Sequence, residues 1–177
     1  MTKLRDGLAL LIAVALGAGA IFFGLNWSES SSTDADALTP GALYTASFPD
    51  LHGQPQTLGQ WQGKVVVLNL WATWCAPCRQ EIPVLINMQR KYAERGVVVV
   101  GLAMDETAPV AKYSREMNID YPILVGGTNA SPFARRLGNS NGLLPFTVLI
   151  DRTGKIVTSH LGELNEARLE NLLAPLI

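Results

Sequence analysis

Apolar residues are distributed along the chain in two styles. From Gly7 to Leu25 they run on without a charged side chain, whereas beyond Gly41 they come in short bursts divided by glycine, proline and polar positions. Within the second region, Lys64-Val-Val-Val-Leu-Asn-Leu70 and Val97 to Ala103 are nearly continuous apolar runs rich in β-branched residues, the pattern of strands covered on both faces. Ile82, Leu85, Ile86, Met88 and Tyr92 fall mostly on one side at helical spacing and predict a helix over Cys78 to Arg95, with Gly96 as its stop. Pro109 to Met117 reads as a second helix, Tyr121 to Val125 as a short strand or an extended entry, and Ser131 to Leu137 as a third helix. Phe146 to Ile150 and Lys155 to Ser159 flank Asp151-Arg-Thr-Gly154, a turn tetrad suited to a hairpin. Asn165 to Leu173 closes the chain as an amphipathic helix. Strands alternating with helices, then a hairpin and a helix, predict an α/β domain with a mixed central sheet and helices on both faces.

The long apolar run bears on where this domain works. Its length matches what a helix needs to cross the hydrocarbon core of a bilayer. Met1 to Asp6 ahead of it carries Lys3 and Arg5, while no Lys or Arg follows until Lys64. The positive-inside rule therefore places residues 1–6 in the cytoplasm, residues 7–25 in the membrane as a transmembrane anchor or uncleaved signal, and the remainder outside. A secretory signal has a shorter apolar region followed closely by a small-x-small cleavage site. Here Ala18-Gly19-Ala20 lies inside the run and Ala35-Asp36-Ala37 well beyond it, so cleavage at the latter stands as the alternative. Residues 26–40, including Ser-Glu-Ser-Ser-Ser-Thr-Asp-Ala-Asp-Ala, are polar and acidic and read as a flexible linker. Residues 41–177 are long enough for one domain with its own core. The expected location is a bacterial inner membrane, crossed once, with the C-terminal domain facing the periplasm or another extracytoplasmic space.

Charge and cysteine content narrow the chemistry. A net charge of −1 and the lack of a basic stripe give no support to nucleic-acid binding. The 177 residues include two cysteines, Cys75 and Cys78, both within Trp71-Ala-Thr-Trp-Cys-Ala-Pro-Cys78. A disulfide-stapled fold needs several bridges and a structural zinc site normally needs four ligands, so neither fits one C-x-x-C. His52 and His160 lie far from the pair and from each other, read as surface or loop residues, and leave no metal site expected. Arg79 stands where covalent haem attachment would require histidine. What remains is a dithiol that opens and closes, a redox-active disulfide needing no separate cofactor.

A C-x-x-C between a strand and a helix is the thioredoxin-like redox arrangement, and Trp74-Cys-Ala-Pro-Cys78 makes it specific. From about Gly41 to the C-terminus the chain resembles the thioredoxin-like superfamily. It looks closest to the membrane-anchored TlpA-like and ResA-like branch, with a redoxin or AhpC/TSA-like domain, which includes the CcmG type of cytochrome c maturation. The narrower resemblance rests on the N-terminal apolar run, on Asn69-Leu-Trp-Ala-Thr-Trp-Cys-Ala-Pro-Cys-Arg-Gln-Glu-Ile-Pro83, and on Leu144-Pro-Phe-Thr-Val-Leu-Ile-Asp-Arg-Thr-Gly154. Met104 to Pro122 resembles the helical insertion of this branch. The resemblance implies a thioredoxin-like fold, a monomer, and thiol-disulfide exchange with a disulfide-containing protein substrate. It also implies electrons from a membrane donor of the CcdA or DsbD type and a mostly reducing direction, in cytochrome c maturation or copper-site assembly. An oxidase or isomerase of the same fold is the alternative. A thiol peroxidase would need the Pro-x3-Thr-x2-Cys arrangement of peroxiredoxins, and a copper-binding chaperone would need further ligands.

Individual roles follow from placing the pair at a helix start. Unpaired N–H groups and the macrodipole there favour an anion, so Cys75 is the expected nucleophile and Cys78, a turn further in, the resolving thiol. Pro77 falls in the first turn and stiffens the loop, while Trp74 shields the pair and offers an apolar contact beside Ala76. Trp71 reads as core. Ordinary thioredoxins carry a buried aspartate at the strand position matched here by Asn69, which cannot ionise. Resemblance to the ResA-like branch passes the acid/base role to Glu81, one helical turn beyond Cys78, with its pKa raised by partial burial. A solvated helix glutamate is the alternative. Pro145 matches the family's cis-proline, and Leu144 before it presents its backbone to an extended substrate segment. The alternative is a trans Pro145 starting an edge strand.

Overall fold

The computed structural model describes residues 38–177. Helix α1 (Pro40–Tyr44) opens the fold, with the Thr39 hydroxyl accepting from the Ala42 N–H at its start. Strands β1 (Ser47–Pro49) and β2 (Pro55–Thr57) form a small antiparallel hairpin whose loop is tied by Asp50 Oδ1, accepting from the His52 and Gln54 N–H groups. There follow β3 (Val65–Trp71), α2 (Ala76–Tyr92), β4 (Val97–Ala103), α3 (Thr107–Glu116), β5 (Ile123–Val125), α4 (Ser131–Arg136), β6 (Phe146–Ile150), β7 (Ile156–Leu161) and α5 (Glu166–Leu173).

The main sheet has five strands in the order β5-β4-β3-β6-β7. β3, β4 and β5 are parallel, while β6 runs antiparallel to β3 and β7 antiparallel to β6. Every residue of β3, β4 and β6 is buried. That burial explains their nearly continuous apolar runs: with helices on both faces there is no solvent side to reward alternation. Edge strand β7 does alternate, half-buried with exposed. On one face Val65, Val67 and Trp71 pack with Ile82, Leu85 and Met88 of α2, Val110 of α3, and Leu169 and Leu173 of α5. On the other, Val66, Leu68 and Leu70 pack with Leu43 of α1, Phe48 of β1 and Phe133 of α4. The expected α/β architecture with a mixed sheet and two helical layers is the one observed.

Two glycines make room for this packing. A Cβ on Gly101, mid-β4, would lie 2.9 Å from Ile123 Cδ1, 3.0 Å from Trp71 Nε1 and 3.2 Å from Tyr121 Cε2, so only glycine lets these side chains close over the strand. Gly154, in the β6–β7 turn at φ 87°, takes a left-handed conformation costly to other residues. Asp151 Oδ1 completes that turn by accepting from the Thr153 and Lys155 N–H groups.

Several boundaries differ from the sequence expectation. α2 begins at Ala76, not Cys78, because Cys75 itself caps the helix, and a 3₁₀ turn at Ala93–Arg95 ends it. It continues through Pro83, which is exposed, so the Arg79 carbonyl that loses its N–H partner lies on the solvent side. α3 begins at Thr107, placing Pro109 in the first turn where a missing N–H costs nothing. β3 is shifted by one residue to include Trp71, β5 starts only at Ile123 after Pro122, and β7 runs on to Leu161. α4 ends at Arg136, and α5 starts at Glu166 with the Asn165 side chain accepting from the Arg168 N–H. The fold also begins ahead of Gly41. Leu38 is already buried and Thr39 caps α1, so these residues belong to the domain rather than to the expected linker. α1 and the β1–β2 hairpin have no counterpart among the elements that the hydrophobic pattern predicts. The expected anchor, cytoplasmic N-terminus and most of the linker lie outside the described residues.

Candidate active site

β3 delivers the chain to the site. Its last residue, Trp71, is fully buried, with its ring 5.9 Å from that of Tyr113, and its carbonyl accepts from the Met104 N–H at 2.8 Å. The chain then turns outward. Thr73 gives both its N–H, at 3.0 Å, and its hydroxyl proton to Asp105 Oδ2, from the segment just after β4. This carboxylate fixes the approach to the cysteines. Trp74 comes next and is 68% exposed, so its indole is offered to a partner more than it covers the pair.

Cys75 occupies the N-cap of α2 in an extended conformation, and its Sγ accepts from the Cys78 N–H at 3.3 Å. The two cysteines form a disulfide with their Cα atoms 5.3 Å apart. Cys75 retains 6% of its surface and Cys78 1%, so an incoming sulfur meets Cys75 first. Ala76 and Pro77 are exposed at the first turn. When the bond is reduced, the N–H groups of that turn face whatever charge develops on Cys75.

Glu81 is fully buried rather than partly so. Its Oε2 accepts from Asn69 Nδ2 at 3.1 Å and its Oε1 from the Leu164 N–H at 3.2 Å. Asn69 Nδ2 also reaches Thr147 Oγ1 at 2.9 Å, so one buried amide joins β3, α2 and β6. Burial pushes the Glu81 carboxyl up from 4.5 to about 7; the two hydrogen bonds oppose the rise and the nearby Glu163 charge adds to it. The group is therefore half-protonated near neutral pH, one helical turn from Cys78.

Across the sheet, Leu70 of β3 is opposite Phe146 of β6, so the residues just before Phe146 lie beside the start of the Trp71–Cys75 turn. The Leu144–Pro145 peptide is cis, Pro145 is buried, and its carbonyl accepts from the Gly162 N–H at 2.9 Å. Leu144 is half-buried and packs against the cluster that contains both cysteines. The structure thus gathers Cys75, Cys78, Glu81, Leu144 and Pro145 at one end of the sheet, with Trp74, Ala76 and Pro77 on its exposed rim. Sequence reasoning missed Asp105 and Thr73, the Thr147 contact, and Leu143, whose side chain is 51% exposed next to the cis bond. Only Thr147 left a usable signal, as a polar residue interrupting an apolar strand.

The Redoxin family profile matches residues 35–173. The chain is 36% identical over 127 residues to a thiol-disulfide oxidoreductase ResA of Bacillus cereus, covering 70% of each. It is 33% identical over 132 residues to the thioredoxin-like protein YneN of Bacillus subtilis (strain 168), covering 72% of this chain and 74% of that protein. Among solved structures it is similar to a thioredoxin-related protein from Neisseria meningitidis serogroup B, at 31% identity and a TM-score of 0.65, covering 72% of this chain and 96% of that one. A thiol:disulfide interchange protein of the thioredoxin family from Chlorobium tepidum TLS gives 26% identity and a TM-score of 0.65, covering 74% of this chain and 92% of that one. The mixed sheet with its two helical layers is therefore a thioredoxin-like fold.

Proposed function

We infer that this chain, which belongs to the Redoxin family and is a TlpA/ResA/CcmG-like thiol-disulfide oxidoreductase, works as a protein disulfide reductase on the extracytoplasmic side of a membrane. The observation that supports the reading best is the pairing of a capped, slightly exposed Cys75 with a buried carboxyl on the next turn but one of the same helix. In the reduced form, the Cys75 thiolate attacks one sulfur of a substrate disulfide. A Cys75–substrate bond forms, the substrate S–S bond breaks, and the departing thiolate takes up a proton. Cys78 gives its proton to ionised Glu81 and attacks Cys75 Sγ, closing the Cys75–Cys78 bond and expelling the second substrate sulfur as a thiolate, which takes up a proton from solvent. Two electrons pass from the pair to the substrate, and a membrane dithiol donor of the CcdA or DsbD type returns them. Disulfides in cytochrome c maturation or copper-site assembly are the expected substrate class, the protein acts as a monomer, and the dithiol is the only redox group required.

Direction is tested by equilibrating the Cys75–Cys78 pair with a glutathione couple. A midpoint near the roughly −270 mV of thioredoxin is expected, and one near the roughly −120 mV of DsbA would reassign the chain as an oxidant. Peroxide consumption or stoichiometric copper binding by the reduced protein would instead support the peroxidase or chaperone alternatives.

The charge-free run from Gly7 to Leu25 carries the proposed location. Full-length protein is expected to stay with membranes through an alkaline wash and to keep its N-terminal sequence. A soluble product starting near Leu38 would show that Ala35-Asp36-Ala37 is cleaved.

A further inference from the structure

Asn139 is a buried amide that the exchange chemistry does not use. It retains 5% of its surface, just beyond α4, where its own N–H donates to the Ala134 carbonyl at 2.9 Å. Its side chain pairs with both backbone groups of Leu143. Nδ2 donates to the Leu143 carbonyl at 2.9 Å, and Oδ1 accepts from the Leu143 N–H at 3.0 Å. The Gly142 N–H closes the same loop onto the Asn139 carbonyl at 3.3 Å. A side-chain amide here does what a neighbouring strand would do, holding one residue of an exposed loop in a fixed orientation.

The residue so held adjoins, along the chain, the segment that packs beside the redox site. Leu143 is immediately followed by Leu144, which packs against the cysteine cluster, and by the cis Leu144–Pro145 bond. Leu143 is 51% exposed and Trp74 68% exposed; they are two of the four large apolar residues exposed among those described. A loop with this much outward apolar surface has little packing of its own to fix it, so its geometry depends on the amide.

We propose that Asn139 is a positioning residue for protein-substrate capture: by clamping the Leu143 backbone it presents the Leu143 side chain and the Leu144 backbone to an extended, apolar segment flanking the substrate disulfide. The inference rests on the reading of this chain as a protein disulfide reductase. It separates two functions that the cysteines alone cannot, because the clamp acts on the walls of the site and not on the sulfur atoms. A small disulfide needs only the sulfurs, whereas a protein segment needs the walls.

Asn139→Asp is the sharp test. It is nearly isosteric and keeps an acceptor for the Leu143 N–H, but it turns a carboxylate oxygen toward the Leu143 carbonyl. Reduction of insulin by wild type and Asn139→Asp is followed for KM and kcat, alongside reduction of oxidised glutathione and the midpoint potential. Loss of one part-buried hydrogen bond, with an unpaired acceptor left behind, predicts a KM for insulin raised about five- to tenfold, with the ratio of insulin to glutathione rates falling in proportion and the potential unmoved. Leu143→Ser, a change at an exposed side chain, is expected to raise the same KM and carries the test if Asn139→Asp fails to fold. An unchanged KM in a folded, active variant overturns the proposal. A shifted potential with kcat falling on both substrates also overturns it, since the amide would then act through the dithiol. A wild-type protein that reduces neither substrate removes the reductase reading itself, and the proposal with it.

Discussion

Cys75→Ser is expected to abolish disulfide exchange, while Cys78→Ser should retain the attack and stop halfway. The reason lies in where the helix begins. Cys75 is the N-cap, keeps the larger share of exposed surface and receives the Cys78 N–H, so it is the sulfur a substrate can reach and the one whose anion the helix start stabilises. Cys78, one turn inside, can reach little except Cys75. With Cys78 replaced, nothing resolves the Cys75–substrate bond, and the mixed disulfide accumulates. Non-reducing gels or mass spectrometry after incubation with a disulfide-containing protein should show stable adducts for Cys78→Ser and almost none for Cys75→Ser. Equal trapping by both variants would remove the assigned order of attack.

Glu81→Gln should produce the second large effect, visible in both rate and stability. General acid/base assistance is worth roughly 10²- to 10⁴-fold, so losing the proton acceptor of Cys78 should slow resolution well beyond assay noise near pH 7 and flatten its pH dependence. The oxidised protein, in which the cysteines do not titrate, isolates the carboxyl. Folding raises the Glu81 pKa from 4.5 to about 7, so the folded state holds this proton more tightly than the unfolded chain. Its favourable contribution is fully present below pH about 4.5 and is lost as pH rises through about 7. The difference amounts to about 3 kcal/mol. Denaturant titrations of oxidised wild type should therefore lose stability across that window, and Glu81→Gln should not. The variant can keep both side-chain contacts: Asn69 Oδ1 has no partner among the described residues, so the Asn69 amide can turn for that oxygen to accept from the new side chain and from the Thr147 hydroxyl. Superimposable pH profiles for rate and stability would return Glu81 to a structural glutamate.

Much of this site is legible in the order of residues alone. The two cysteines, Pro77 and the helix start stand out through residue type and spacing, because a helix N-terminus is a local event that a few neighbouring residues specify. Asn69 shows as a polar break in Val-Val-Val-Leu-Asn-Leu, and Glu81 by its spacing from Cys78. The degree of burial is not legible. The family resemblance implies only partial burial for Glu81, yet Asn69 from β3 and the Leu164 N–H both close onto its carboxyl. Those partners are 12 and 83 residues away, and no periodicity links them. The Asp105–Thr73 contact and the Asn139 clamp leave no trace for similar reasons, the first being long-range and the second a side chain pairing with backbone inside an irregular loop. The β1–β2 hairpin escapes notice because its strands are three residues each and largely exposed, too short to show a pattern.

By itself, then, the order of residues determined the alternation of strands and helices and the identity of the redox pair, since these depend on local propensity and hydrophobic period. Tertiary structure decided the rest. It set how deeply each sulfur and the Glu81 carboxyl lie, and hence the proton affinity of that carboxyl. It also brought the Leu144–Pro145 segment beside the cysteines and shaped the walls a substrate would meet. Each of these depends on desolvation and on hydrogen bonds between segments that only the assembled sheet brings together.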